Sequence, residues 1–263
     1  MARFLFVGDV VGKPGRRALS RLLPELIDRH RVDAAVVNVE NAAGGSGVTP
    51  GVLREFSDLP IDCMTTGNHA WAKREGVPLY DRIPNLLRPA NYPEGNPGTG
   101  IFVGELPVGT PYAVINLEGQ TFMKPLPSPF AAADSILAGL DPAIRIVLVD
   151  FHAEATSEKQ AFAYHLDGRV TAVLGTHTHV PTADARVLPQ GTALVTDVGM
   201  TGPYDSVIGV RADRALKRFL LNTPAGFEVA KRDVRLAAAL VDADETTGRA
   251  TRIESLLVEE PVR

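Results

Sequence analysis

Short apolar runs that each open into a polar turn constrain the fold of this chain more than any other feature. Three such runs occupy residues 4–7, 34–37 and 61–65 and have the composition of buried strands. The first two are separated by a helical pattern, in which apolar residues recur at helical spacing from Leu19 to Ile27. Strand, loop and helix therefore alternate, which predicts an α/β fold of layered sheets and helices.

The rest of the chain continues this pattern with less regularity. We expect further strands at residues 100–105, 112–117, 144–149, 170–174 and 193–195. Helices are expected at residues 50–56, 157–164 and 211–221, and Pro24 should kink or restart the first helix. From about Phe227 onward, alternating apolar positions predict antiparallel strands. No repeat or linker divides the sequence, so we expect one domain across residues 1–263.

Composition limits the classes of function. The 263 residues, 45% hydrophobic and 22% charged, are ample for a folded core. The net charge of −4 argues against an extended nucleic-acid surface but is compatible with a small phosphate substrate. The single cysteine, Cys63, excludes an intrachain disulfide and a thiolate-rich zinc site. Because the N-terminus lacks a signal-peptide pattern and no stretch approaches about 20 apolar residues, we expect a cytoplasmic protein without a membrane span.

Residues that can bind a metal or transfer a proton follow the predicted strands. They are Asp9, Glu40, Asn41, Asn68, His69, His152, His177 and His179. Asp9 or Asn41 alone would more often be a turn or helix-cap residue. Ligands of α/β sheets, however, collect outside the carboxyl ends of the strands, so the whole set is expected to meet there.

His177 and His179 stand two residues apart in the segment Gly175-Thr-His-Thr-His-Val-Pro181. In extended backbone, residues i and i+2 point to the same side, so we expect the two imidazoles to be presented together. That arrangement suits metal binding, and two solvent-exposed loop histidines are the alternative.

The candidate ligands are too many for one tetrahedral ion and suit a pair of ions. Imidazole favours Zn, Fe and Mn, whereas carboxylates favour harder cations. A carboxylate such as that of Glu40 could bridge two ions through its two oxygens. Two metals about 3.5–4 Å apart would clamp the attacking and leaving oxygens of a phosphate during in-line displacement, and would lower the pKa of a bridging water to yield hydroxide. The pattern therefore predicts phosphoester hydrolysis.

The ordered motif blocks of calcineurin-like metallophosphoesterases are resembled by Gly8-Asp9, Asn38-Val-Glu-Asn41, Gly67-Asn-His69, Phe151-His152 and Gly175-Thr-His-Thr-His179. Five segments more closely resemble the bacterial YmdB-like branch of this superfamily. They are Phe6-Val-Gly-Asp-Val-Val-Gly12, Asn38-Val-Glu-Asn-Ala42, Gly67-Asn-His69, Thr176-His-Thr-His-Val-Pro181 and Asp197-Val-Gly-Met-Thr-Gly-Pro203. The resemblance extends from residue 3 to about residue 240. Val11 stands in place of the histidine of the superfamily's Asp-x-His block, and Glu40 in place of its usual bridging aspartate. Both departures match the YmdB-like branch.

The resemblance implies a sandwich of two mixed β-sheets flanked by helices, with a centre of two metal ions. One ion would take Asp9, Glu40, Asn41 and His179. The other would take Glu40, Asn68, His152 and His177. In this scheme Glu40 bridges the two ions, and His177 and His179 serve different ions. Fe or Mn is the expected metal, with Zn or Mg as alternatives.

The same resemblance implies a substrate and a general acid. The substrate class is a small cyclic nucleotide such as 2′,3′-cyclic AMP, hydrolysed as a phosphodiester. His69 would protonate the leaving oxygen, a role that suits the near-neutral pKa of an imidazole.

Two other functions are alternatives to a phosphodiesterase. A P-loop is disfavoured because Gly8-Asp-Val-Val-Gly-Lys13 has three residues between its glycines, where a P-loop has four, and because Pro14 follows the lysine. A regulatory or RNA-metabolism partner protein that binds metal with little turnover stays open. The sequence also leaves open the oligomeric state, including a homo-oligomer, and the roles of the glycine-rich segments 44–47 and 199–203.

Overall fold

Two mixed β-sheets of six strands each form the centre of the computed structural model, which describes residues 1–224, 226 and 228–261. The strands are β1 (Ala2–Val7), β2 (Ala34–Asn38), β3 (Cys63–Thr65), β4 (Ile101–Glu105), β5 (Pro111–Glu118), β6 (Ile146–His152), β7 (Ala172–Thr176), β8 (Arg186–Val187), β9 (Ala193–Val195), β10 (Gly202–Pro203), β11 (Val234–Ala243) and β12 (Ala250–Glu259). The α-helices are α1 (Gly12–His30), α2 (Pro50–Phe56), α3 (Leu79–Arg82), α4 (Pro129–Gly139), α5 (Thr156–His165) and α6 (Ala212–Leu221).

Each sheet combines parallel strands with antiparallel ones. The first sheet has the order β10-β11-β1-β2-β3, and β12 also pairs with β11. Its strands β1, β2 and β3 are parallel, and β11 runs antiparallel to β1. The second sheet has the order β4-β5-β6-β7-β9-β8, with a parallel centre and antiparallel edge strands β4 and β8.

The side chains of β1 point alternately to the two faces of the first sheet and show how the layers pack. Phe4 and Phe6 lie in the core between the two sheets, where the ring of Phe4 meets that of Tyr112 edge-on with centroids 5.3 Å apart. Leu5 and Val7 point to the opposite face and pack beneath α1 and α2. Helices α4 and α5 pack against the outer face of the second sheet. The expected sandwich of two mixed sheets flanked by helices is therefore confirmed.

Most elements expected from the sequence form, with shifted ends. Helix α1 runs without interruption past Pro24, so the predicted restart is wrong. Pro24 is exposed, and the buried leucines beside it, such as Leu22, Leu23 and Leu26, outweigh the hydrogen bond that a proline removes. The sequence did not indicate α4. Phe227, where terminal strands were expected to begin, lies outside the described residues, but β11 and β12 pair antiparallel as predicted.

Within residues 1–224, 226 and 228–261, no helix is both long and apolar enough to cross a bilayer.

Candidate metal centre

Strands from both sheets direct polar residues to one shared edge. Strands β1, β2 and β3 of the first sheet lead into Asp9, Glu40, Asn41, Asn68 and His69. Strand β6 ends on His152, and β7 leads into His177 and His179. A continuous set of contacts joins all eight residues that the sequence analysis singled out, with Asp9 joined through the backbone N–H of His177. The rule that strand ends converge therefore locates them correctly in space.

One group of possible ligands is already assembled around the His152 ring. Its Nε2 lies 3.1 Å from Oε2 of Glu40, 2.9 Å from Oδ1 of Asn68 and 3.1 Å from Nδ1 of His177. Possible ligand atoms of Glu40, His152 and His177 all lie within 4.8 Å of one another. This spacing is small enough for one cation to contact every member of the group.

Hydrogen bonds behind His152 determine which ring nitrogen faces this group. Its Nδ1 lies 2.9 Å from Oγ1 of Thr176, and that hydroxyl donates to Oδ1 of Asp150 at 2.7 Å. The hydroxyl proton is thereby used, so Nδ1 carries the ring proton and Nε2 keeps a lone pair. Burial lowers the pKa of His152 well below its usual range and keeps the ring neutral. Nε2 therefore meets the acceptor oxygens of Glu40 and Asn68, an arrangement that a cation would stabilise.

A second group lies around His179 and Asn41. Nδ1 of His179 donates to the carbonyl oxygen of Ile208 at 2.9 Å, which leaves the lone pair on Nε2. Nε2 lies 3.2 Å from Oδ1 of Asn41, whose amide nitrogen donates to the carbonyl of Gly45 at 3.0 Å. Two acceptor atoms again face each other, as expected at a cation site.

Asp9 supplies a carboxylate that the protein alone does not satisfy. Its side chain is fully buried, and its Oδ1 has no hydrogen-bond partner among the described residues. Its Oδ2 accepts from the backbone N–H of His177 at 3.3 Å. Burial, reinforced by the nearby charge of Glu40, raises the pKa of Asp9 well above its usual range. A buried carboxylate oxygen without a partner is costly, so this side chain also fits a cation.

His69 lies at the mouth of the centre rather than inside it. Its side chain is 37% exposed, and its Nδ1 lies 3.0 Å from Oε1 of Glu40. The hydrogen bond with Glu40 raises the pKa of His69. The imidazole can therefore hold a proton near neutral pH while one edge remains accessible.

The backbone at His177 and His179 differs from the expected extended form. Their φ angles are 98° and 67°, both in the left-handed region that side chains other than glycine rarely adopt. The expectation that alternation in a strand would place the two imidazoles together is therefore wrong. Strand β7 ends at Thr176, and the left-handed turns beyond it lead His177 toward His152 and His179 toward Asn41.

The glycine of the Gly67-Asn-His69 segment is required by close packing. A Cβ atom at Gly67 would lie 2.1 Å from Cδ2 of the His152 ring and 2.4 Å from its Nε2. Only a residue without a side chain lets the two strand ends approach to this distance.

Glu118 and Glu154 are acidic residues near the centre that the sequence analysis did not single out. Glu118 ends β5, is fully buried, and accepts from the hydroxyl of Tyr92 at 2.8 Å, and burial raises its pKa to about 7. Glu154 follows β6, and its Oε2 lies 3.0 Å from Nε2 of His177. Glu118 directly follows the predicted strand 112–117, so the rule applied to the other strand ends would have found it.

Known proteins resemble the chain over nearly its whole length. A 2′,3′-cyclic-nucleotide 2′-phosphodiesterase of Bacillus subtilis (strain 168) is 46% identical, covering 97% of this chain and 97% of the relative. A crystal structure of a hypothetical protein from Thermus thermophilus has a TM-score of 0.92 and 43% identity, covering 98% of this chain and 100% of that one. A crystal structure of a novel phosphatase from Mycoplasma pneumoniae has a TM-score of 0.91 and 34% identity, covering 98% and 93% of the two chains. The family described as YmdB-like protein matches residues 5–256, and this chain belongs to that family.

Proposed function

We propose that this chain is a metal-dependent phosphodiesterase that hydrolyses small cyclic nucleotides, such as 2′,3′-cyclic AMP, at a centre of two metal ions. The observation that carries the proposal is the lone pair of His152 Nε2, which faces acceptor oxygens of Glu40 and Asn68. The name of the Bacillus relative supports the substrate class. The core shared by both sheets supports a single functional domain.

The two ligand groups fit two ions that share Glu40. One ion would take Glu40, Asn68, His152 and His177. The other would take Asp9, Glu40, Asn41 and His179. The mixture of imidazole, amide and carboxylate donors favours Fe or Mn, with Zn or Mg as alternatives. When bound, such ions supply Lewis-acid chemistry: they neutralise phosphate charge and lower the pKa of a bound water.

His69 is proposed to be the general acid. Hydrolysis of a cyclic phosphodiester forms one phosphorus–oxygen bond to water and breaks one phosphorus–oxygen ester bond, and the departing oxygen must gain a proton. Nδ1 of His69 donates to Oε1 of Glu40, which orients the ring and raises the pKa of His69, so a protonated ring is available near neutral pH. The partial exposure of the ring allows the departing oxygen to reach it.

The test combines metal analysis with activity. Protein purified without chelator should contain about two transition-metal ions per chain and should hydrolyse 2′,3′-cyclic AMP and bis-p-nitrophenyl phosphate when Mn²⁺ is added. His69→Ala should lower kcat by roughly 100-fold to 10,000-fold without changing the metal content. His165→Ala is the matched control, because this histidine has a similar 34% exposure but pairs with Asp134 outside the centre.

Each result separates the alternatives. Equal, chelator-insensitive turnover by wild type and His69→Ala would contradict the catalytic assignment. A metal-loaded wild type that turns over none of the nucleotide substrates would favour a regulatory, metal-binding partner protein instead. A wild type that binds no metal would refute the two-metal centre.

A further inference from the structure

A buried ion pair lies behind the loop that carries His177 and His179. Lys159 of α5 occupies a position that faces the core, beside the buried Phe162 and Ala163. Its Nζ lies 2.8 Å from Oδ2 of Asp197, and both side chains are only 1% exposed. Burial of two charges is unfavourable unless their remaining hydrogen-bonding capacity is used, and an apolar pair could fill the same space. The other hydrogen bonds of Lys159 and Asp197 therefore indicate the role of this ion pair.

The carboxylate of Asp197 accepts three further hydrogen bonds. Its Oδ2 accepts from the backbone N–H of Thr178 at 3.1 Å and from the Thr178 hydroxyl at 2.8 Å. Its Oδ1 accepts from the backbone N–H of Gly199 at 2.8 Å. One buried carboxylate thus joins helix α5, the loop after β7 and the loop after β9.

Asp197 also holds the far end of the same loop through its backbone. Its N–H donates to Oγ1 of Thr182 at 2.9 Å, and its carbonyl accepts from the N–H of Thr182 at 3.0 Å. The segment from Thr178 to Thr182 is therefore attached to one residue at both ends. Only His179, Val180 and Pro181 lie between these two attachment points.

The attachment at Thr178 bears directly on the two neighbouring histidines. His177 and His179 both have left-handed φ angles, which persist in residues other than glycine only when the surroundings hold them. The φ angle at each position determines the direction in which the imidazole leaves the chain. Thr178 is the residue between them, and its backbone N–H and hydroxyl are both bound to Asp197.

We propose that the Lys159–Asp197 pair is a positioning device, which holds Thr178 so that His177 points to the His152 group and His179 to the Asn41 group. Lys159 holds the Asp197 carboxylate in place, and Asp197 holds the loop. The division of the two histidines between different ions is then a consequence of the ion pair beneath them. This inference rests on the two-metal function proposed above.

The test measures metal binding by two variants at Thr178, one without the hydroxyl group and one that keeps it. Thr178→Val preserves the shape of the side chain and removes the hydroxyl bond to Asp197, whereas Thr178→Ser retains it. Asp197→Asn removes the charge of the anchor itself. Metal-free proteins are titrated with Mn²⁺ by isothermal calorimetry, and their thermal unfolding without metal is recorded separately. Wild type is expected to bind two ions.

The expected result is that Thr178→Val loses roughly tenfold or more in affinity for at least one ion, as for other residues that orient metal ligands, and that Thr178→Ser recovers it. Asp197→Asn should lose at least as much. A residue with a purely structural role would lower the unfolding temperature of the metal-free protein without changing the Mn²⁺ affinities. Wild-type affinities and stoichiometry in Thr178→Val, or in a folded Asp197→Asn, would overturn the positioning role alone. A wild type that binds no Mn²⁺ would overturn the two-metal function and this inference with it.

Discussion

Gly67→Ala is the smallest substitution expected to disable the centre. The added methyl carbon would lie 2.1 Å from Cδ2, 2.3 Å from Cγ and 2.4 Å from Nε2 of the His152 ring. Movement of the ring is restricted, because the side chain of His152 is fully buried and its Nδ1 is hydrogen-bonded to Thr176. Either the ring or the Gly67-Asn-His69 segment must therefore move.

The size of the effect follows from these distances. Carbon atoms in ordinary contact are about 3.5–4.0 Å apart, so relief of the overlap needs a displacement of more than about 1 Å. A displacement of about 1 Å at a catalytic group can cost about 100-fold in rate. Overpacking of this kind typically costs about 1–3 kcal/mol in the free energy of unfolding. Both Asn68 and His152 belong to the same proposed ligand group, so metal affinity should fall together with turnover.

Gly51→Ala provides the matched control for this substitution. Gly51 lies in α2, and a methyl group there would have no neighbour closer than 3.8 Å. Calorimetric titration with Mn²⁺ and hydrolysis of 2′,3′-cyclic AMP are measured for both variants beside wild type. Gly51→Ala should behave as wild type in both assays. If Gly67→Ala also binds Mn²⁺ with wild-type affinity and turns over substrate at the wild-type rate, the packing argument is wrong.

Three other features of the centre lead to predictions that can be measured. Glu154→Ala should weaken Mn²⁺ binding by roughly 10-fold to 100-fold in calorimetry, because Glu154 fixes Nε2 of His177, and Glu154→Gln should weaken it less. Because burial raises the pKa of Glu118 from 4.5 to about 7, the native carboxyl binds its proton more tightly than the unfolded one. Wild type therefore loses stability relative to Glu118→Gln as the pH rises through this window, by up to roughly 3 kcal/mol. Urea unfolding of both metal-free proteins at low and high pH measures this gap, and a gap that does not change with pH would contradict the argument. Finally, Mn²⁺ at about 100 times its dissociation constant should stabilise the protein by about 2.7 kcal/mol per site, seen as a fall in Tm on addition of chelator.

The positions of the candidate ligands were predictable because they depend on a general property of sheets. A buried strand is recognisable from a short apolar run, and the carboxyl ends of parallel strands share one edge. The sequence alone therefore places Asp9, Glu40 and His152 together. The same rule would have extended to Glu118 and Asp197, which also follow predicted strands.

The direction of the two histidines after β7 was not predictable in this way. A strand pattern assigns side chains to faces only while the backbone is extended, and at His177 it turns left-handed. This turn is held by the carboxylate of Asp197, 19 residues beyond Thr178, which is paired with Lys159 in α5. Lys159 falls within a predicted helix, where a lysine is normally solvent-exposed, so nothing local reveals its buried partner.

Both proposed ions draw ligands from the two sheets at once. His152 and His177 come from the second sheet, while Asn68 and Glu40 come from the first. The group around Asn41 is divided in the same way, because His179 follows β7 and Asn41 follows β2. The apolar core between the sheets, where Phe4 meets Tyr112, holds the two layers together, and bound metal would link them further. If the ions bind as proposed, a substitution that loosens the packing between the sheets is expected to weaken metal affinity, and bound metal is expected to stabilise that packing.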